Sequence, residues 1–141
     1  MKIAIAGDHA GRKLKKVVFD YLNEKGLAIK DLGVSDDVEK ADYPDYATPL
    51  ARSVAAGEYD FGILVCGTGM GMAMAANRIK GARAANCLNE FLARATRAHN
   101  NANILALGER VVGEGLALAI VDVFLETPYE GGRHQGRLDK F

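Results

Sequence analysis

The chain has 141 residues, 49% hydrophobic and 26% charged, which fits one soluble globular domain and leaves no room for two. Lys plus Arg and Asp plus Glu both number 18, so nothing favours nucleic acid or another polyanion as a partner. No apolar run approaches the ~20 residues of a membrane span, and MKIAIAGDH is too brief an apolar stretch for a secretory signal. The expectation is a cytoplasmic protein with no membrane partner, whose two cysteines, Cys66 and Cys87, are free thiols without zinc-site spacing.

In chain order, KIAIAG (2–7) predicts a short strand. Leu14, Val17, Val18, Tyr21 and Leu22 then follow one helical face, ended by Gly26. LAIKDLG (27–33) predicts a second strand, followed by the acidic, turn-rich VSDDVEKADYPD. Ala47, Leu50, Ala51, Val54 and Ala55 mark a second helix, and FGILVC (61–66) a buried strand. MAMAANR is helix material after the glycine turn. GARAANC (81–87) is a strand of poor propensity, because alanine disfavours strands. EFLARATRAH predicts a helix, ANILALG (102–108) a strand, and Leu116, Ala119, Ile120, Val123 and Phe124 the apolar face of a last helix. Residues 126–141 read as an irregular tail.

Five strands alternating with five helices predict a single α/β domain over 1–141. Its architecture is a three-layer, doubly wound, Rossmann-like five-stranded parallel sheet with helices on both faces. Ligands in such sheets bind beyond the carboxyl ends of the strands. That rule gathers Asp8 and His9 after the first strand, Cys66 to Gly71 after the third, Cys87 after the fourth and Gly108 to Arg110 after the fifth.

The turn CGTGMG (66–71) is not a P-loop, since no lysine follows its glycines. It is not the dinucleotide fingerprint either, because Met72 stands where the third glycine belongs. It offers backbone N–H groups to an oxyanion, with the positive end of a helix starting near Gly69. Cys66 at its head is either a base, since a helix N-terminus favours a thiolate, or a small buried residue closing a strand. Position alone leaves both readings open. Asp8 could equally be an N-cap and His9 an exposed loop residue. His99 near a helix C-terminus suits the dipole without further role. Arg133 and Arg137, four residues apart behind paired glycines, could converge on one anion or simply be solvated.

Taken together, GDHAG (7–11), DYPDYA (42–47), CGTGMGM (66–72), RAHNNANILALGERVVG (97–113) and GGRHQGR (131–137) resemble, in this order, the ribose-5-phosphate isomerase B and galactose-6-phosphate isomerase family. The resemblance covers nearly the whole chain. It implies a homodimer or tetramer with no metal and no organic cofactor, acting on a sugar phosphate. The reaction it implies is aldose–ketose interconversion through a cis-enediolate. By motif position, Cys66 is then the base moving a proton between C1 and C2. Thr68 and the Gly67, Gly69 and Gly71 amides hold the enediolate oxygen. Asp8 and His99 assist furanose opening, and Tyr43 and Asn100 line the sugar site. His9, Arg110, Arg133 and Arg137 hold the phosphate, which brings the tail near the active site. Some family members use a glutamate in the following helix instead of the cysteine; GMAMAAN carries no carboxylate. Asn101 stands where aspartate is frequent in the family.

His99 precedes the fifth strand and so belongs at the amino ends of the strands, opposite Cys66. The expectation is that His99 and Asn100 act in a neighbouring subunit's site across a two-fold interface. Ribose 5-phosphate is the expected aldose, with galactose 6-phosphate or allose 6-phosphate as alternatives. A sugar-phosphate-binding module without turnover and a flavodoxin-like nucleotide binder are competing classes.

Overall fold

The computed structural model describes residues 1–140. Strands β1 (Lys2–Gly7), β2 (Ala28–Asp31), β3 (Phe61–Cys66), β4 (Ala84–Asn86) and β5 (Ile104–Gly108) form one parallel sheet in the order β2-β1-β3-β5-β4. Between and after them run helices α1 (Arg12–Glu24), α2 (Pro44–Ala55), α3 (Met70–Ala76), α4 (Glu90–Asn100), α5 (Glu114–Glu126) and α6 (Gln135–Leu138). The chain moves outward from β1 to β2, then returns to place β3 on the other side of β1. The strand order therefore reverses between β1 and β3, the place where an open α/β sheet has its crevice.

Alternation along the strands separates two cores. Ile3, Ile5, Ile63, Val65, Leu105 and Leu107 face Leu14, Val18 and Leu22 of α1, Ala93 of α4, and Ile120, Val121 and Phe124 of α5. On the other face Ala4, Ala6, Leu64, Cys66 and Ala106 meet Leu50, Ala51 and Val54 of α2 and Met72, Ala73 and Ala76 of α3. Each fully buried Leu, Ile or Phe contributes about 1.5–3 kcal/mol. The second face is built from small side chains so that its helices sit close. A Cβ on Gly62 would lie 2.5 Å from Leu50 Cδ2. Among the described residues, no helix is long and apolar enough to cross a membrane.

Several expectations need correction. The strand expected over 27–33 is formed only by Ala28–Asp31, and that over 81–87 only by Ala84–Asn86. Both are edge strands, so one side of each lacks a partner that would extend it. The face of α5 is turned by one position: Ala117, Ile120, Val121, Phe124 and Leu125 are buried, whereas Leu116 is exposed. That helix is apolar nearly all round, so periodicity alone does not fix its phase. The tail is not irregular. Pro128 follows the end of α5, Gly132–His134 form a 3₁₀ turn, and α6 follows directly. The side-chain amide of Gln135 donates to Asp139 at 2.7 Å, and the Tyr129 hydroxyl bonds Gln135 Oε1 at 3.1 Å.

Lys15 was not anticipated in the core. It lies on the buried side of α1 and meets Asp31 at the end of β2 at 2.6 Å. At the opposite end of the sheet, Arg97 is 7% exposed and sits over the rings of Phe61 and Phe124 at 4.8 and 5.8 Å. Burial, with Arg83 nearby, pulls its guanidinium below the usual arginine range.

Candidate active site

The carboxyl end of β3 is where the expected residues meet. Cys66 pairs in register with Gly108, and Gly7 with Val65, so the ends of β1, β3 and β5 lie side by side. Backbone hydrogen bonds continue the alignment past the strands. The Asp8 N–H donates to Val65 at 3.3 Å, Glu109 N–H to Cys66 at 2.9 Å, and Arg110 N–H to Gly67 at 3.0 Å. Asp8, Cys66, Glu109 and Arg110 therefore stand in one row across the strand-order reversal.

Cys66 is 5% exposed, and its sulfur accepts the Gly69 N–H at 3.1 Å. Gly69 adopts φ +80°, a left-handed conformation that glycine reaches without steric cost. This folds the turn back over the thiol. The Met70 N–H bonds the Thr68 hydroxyl at 3.3 Å. The Gly71 N–H lies in the first turn of α3, where helical amides have no intrahelical acceptor.

Two glycines are small because side chains lie on them. A Cβ on Gly71 would stand 2.9 Å from the Tyr43 ring, and one on Gly67 3.2 Å from Arg110 Nη1. Tyr43 thus packs on the turn at Gly71 and Arg110 at Gly67, and Arg110 stands with the same chain's Cys66. Asp8 is 6% exposed and accepts the Ala10 N–H at 2.9 Å, so it is also the helix cap that its sequence position allowed. His9 is exposed, with Nδ1 3.2 Å from the Ala41 N–H and 3.1 Å from the Ala41 carbonyl. Either contact tethers its ring to the segment leading into α2.

The remaining expected residues lie elsewhere in the chain. His99 and Asn100 end α4, just before β5 begins at Ile104, at the amino end of the sheet. The tail carrying Arg133 and Arg137 lies there too: the Glu130 N–H donates to Ala98 at 3.0 Å. Gln135, Leu138 and Asp139 line one groove of about 420 Å³ with Arg83 and Asn101. A strand the length of β5 spans roughly 15 Å, so no side chain joins these groups to Cys66 within one chain.

Two further residues stand at the carboxyl end: Asn86, which the sequence did not single out, and Glu109, which the strand-end rule gathered without a role. Asn86 ends β4, and its side-chain amide donates to the Thr68 carbonyl at 3.2 Å while its Oδ1 is buried without a partner. Glu109 accepts the Leu14 N–H at 2.9 Å, capping α1, whose N-cap Gly11 has no side chain to do so. The strand-end rule points to both positions. Cys87 is 1% exposed, and burial pushes its thiol up to about 11, which suits a structural residue and not a base.

Among the described residues, His99, Glu130 and His134 form one cluster of metal-ligand types. The two imidazoles are stacked with planes 13° apart. Their in-plane lone pairs therefore run side by side and do not converge on a single ion. Zinc geometry needs ligands that point to one centre, so the cluster is not a preformed metal site.

A family model described as Ribose/Galactose Isomerase matches residues 3–141. Ribose-5-phosphate isomerase B of Escherichia coli is 48% identical over 138 residues, covering 98% of this chain and 92% of that protein. D-erythrulose-4-phosphate isomerase of Pectobacterium atrosepticum is 41% identical over 140 residues, covering 99% and 92%. A crystal structure of ribose-5-phosphate isomerase B from Mycoplasma genitalium with bound ribulose-5-phosphate superposes with a TM-score of 0.94. It is 45% identical, covering 99% of this chain and 92% of that one.

Proposed function

Because the chain belongs to the ribose/galactose isomerase family and is a sugar-phosphate isomerase, we propose that it interconverts ribose 5-phosphate and ribulose 5-phosphate with Cys66 as the base. The observation that carries this reading is the Cys66 sulfur at the carboxyl end of β3, held by the Gly69 N–H at 3.1 Å. A base beside a carbonyl contributes typically 10²–10⁴-fold to proton transfer. It needs a preorganised donor where the oxygen gains charge. The Gly71 N–H and the Thr68 hydroxyl supply that donor, three positions apart in the same turn. Cys66 removes the proton from C2 of the open aldose and returns it to C1 through the cis-enediolate.

Tyr43 and Arg110 wall the sugar between them. Asp8 stands beside Cys66 as one ring-opening group, and His99 of a neighbouring subunit is the other. His9 and Arg110 take the phosphate together with Arg133 and Arg137, the last two, like His99 and Asn100, crossing from that neighbour. The working form is then a two-fold assembly, each site built from the carboxyl end of one sheet and the amino end of another. Large apolar side chains left open at the carboxyl end support this: Met70 and Met74 are 59% and 72% exposed, and Phe91 74%.

A coupled assay with five- and six-carbon sugar phosphates on wild type, Cys66→Ala and Arg137→Ala tests the reading. Cys66→Ala should lose turnover by roughly 10³-fold or more while still binding phosphate ligands. Arg137→Ala should chiefly raise KM, as when binding shared by ground and transition state is removed. Full activity in Cys66→Ala overturns the mechanism. Greater kcat/KM on galactose 6-phosphate or allose 6-phosphate overturns the substrate. For the shared site, co-assembled Cys66→Ala and His99→Ala chains should recover activity that neither has alone.

A further inference from the structure

At the amino end of the sheet two imidazoles lie face to face. The His99 ring, nearly half exposed, stacks on that of His134, which is 5% exposed, with centroids 4.4 Å and planes 13° apart. Glu130 Oε2 reaches both, 3.4 Å from His134 Nε2 and 4.0 Å from His99 Nε2. Glu130 is itself anchored one residue before His99, through its N–H on the Ala98 carbonyl. His134 Nε2 is buried and makes no hydrogen bond among the described residues.

Resting on the reading of His99 as a ring-opening group, we propose that His134 is its positioning residue, a buried flat platform that fixes the plane of the His99 imidazole. A side chain on the last turn of a helix is otherwise free to rotate. A proton donor works only when its nitrogen lies within hydrogen-bond reach of the oxygen it serves, and small misplacements are costly. Stacking on a buried ring holds the face of His99 and leaves its edge, with the ring nitrogens, free to project toward a neighbouring subunit. An aromatic pair of this kind biases orientation by roughly two- to tenfold. His134 also stands between Arg133 and Arg137 in one short segment.

The substrates separate ring opening from proton transfer. Ribose 5-phosphate is a furanose and must open before its C2 proton is acidic. Ribulose 5-phosphate, its C5 oxygen esterified, has no furanose form and reaches the enediolate directly. Net conversion of ribose 5-phosphate and deuterium uptake from D₂O into C1 of ribulose 5-phosphate are measured side by side on variants of unchanged melting temperature. His134→Ala should slow net conversion roughly tenfold and leave the exchange within about twofold of wild type. His134→Phe, which keeps a flat ring under His99, should restore most of the net rate. Equal loss of both reactions, no loss in either, or no rescue by phenylalanine overturns the proposal. A His99→Ala variant that slows both reactions alike instead overturns the ring-opening reading of His99 on which the proposal rests.

Discussion

The backbone N–H of Gly69 points at the Cys66 sulfur across 3.1 Å, so the main chain that follows the thiol also solvates it. This contact exists only because Gly69 is left-handed, at φ +80°. An added Cβ would lie 2.6 Å from Asn86 Oδ1 and 3.0 Å from the Leu107 carbonyl carbon. Gly69→Ala should cost about 1–3 kcal/mol of stability, from the conformational penalty and the collision. It should reduce turnover roughly 10²-fold or more by displacing the donor. Urea unfolding and initial rates on one preparation check both figures.

Glu109 belongs to the row of strand-end residues but caps a helix. Its Oε2 accepts the Leu14 N–H at 2.9 Å, and α1 has no capping side chain of its own. Glu109→Ala should destabilise by about 1 kcal/mol. Glu109→Gln should keep the hydrogen bond and lose only the charge–dipole part, ~0.3–1 kcal/mol. Equal losses in chemical denaturation would assign the whole effect to charge.

The Lys15–Asp31 pair ties α1 to the end of β2 at 2.6 Å, with the lysine side chain 8% and the aspartate 37% exposed. Removing one partner of a fully buried pair costs about 3–5 kcal/mol. The exposed carboxylate is screened, so Asp31→Ala should cost less, about 1–2 kcal/mol. The double change Lys15→Met with Asp31→Ala should recover part of that loss, because no cation is then left buried. Thermal unfolding of the two variants decides the order.

Burial raises the Cys87 thiol from 9.0 to about 11. The folded state then holds this proton where the unfolded state has released it, so stability falls as pH rises above the unfolded value. The contribution is whole below about pH 9 and lost through about pH 11, to the order of 2–3 kcal/mol. Cys87→Ala should flatten this part of the stability–pH curve. Unfolding free energies of both proteins at intervals across that range measure the difference directly, since other groups cancel.

Most of the fold was legible because strand and helix periods alternate without ambiguity. FGILVC and ILALG are continuous apolar runs, and both are central strands buried on two faces. The edge strands were overextended, since the sequence around Ala28 and Ala84 says nothing about which neighbour is absent. The phase of α5 was misplaced because Ala117, Leu118, Ala119, Ile120 and Val121 offer no polar face to exclude. Of the site, Cys66 and its glycines were placed by the strand-end rule. That rule reaches Arg110 as well, but not the packing of its guanidinium on Gly67 or of the Tyr43 ring on Gly71, which joins segments far apart in sequence. The strand-end rule gathers Glu109 but not its capping role, because its partner, Leu14, is 95 positions away.

The sheet keeps Cys66 and His99 at opposite ends. With the site shared between subunits as proposed, an isolated chain holds two incomplete halves, and catalysis depends on concentration. Specific activity, constant in a self-contained enzyme, should collapse on dilution past the point where subunits part, and return on reconcentration. The assay dish would thus double as a gauge of assembly.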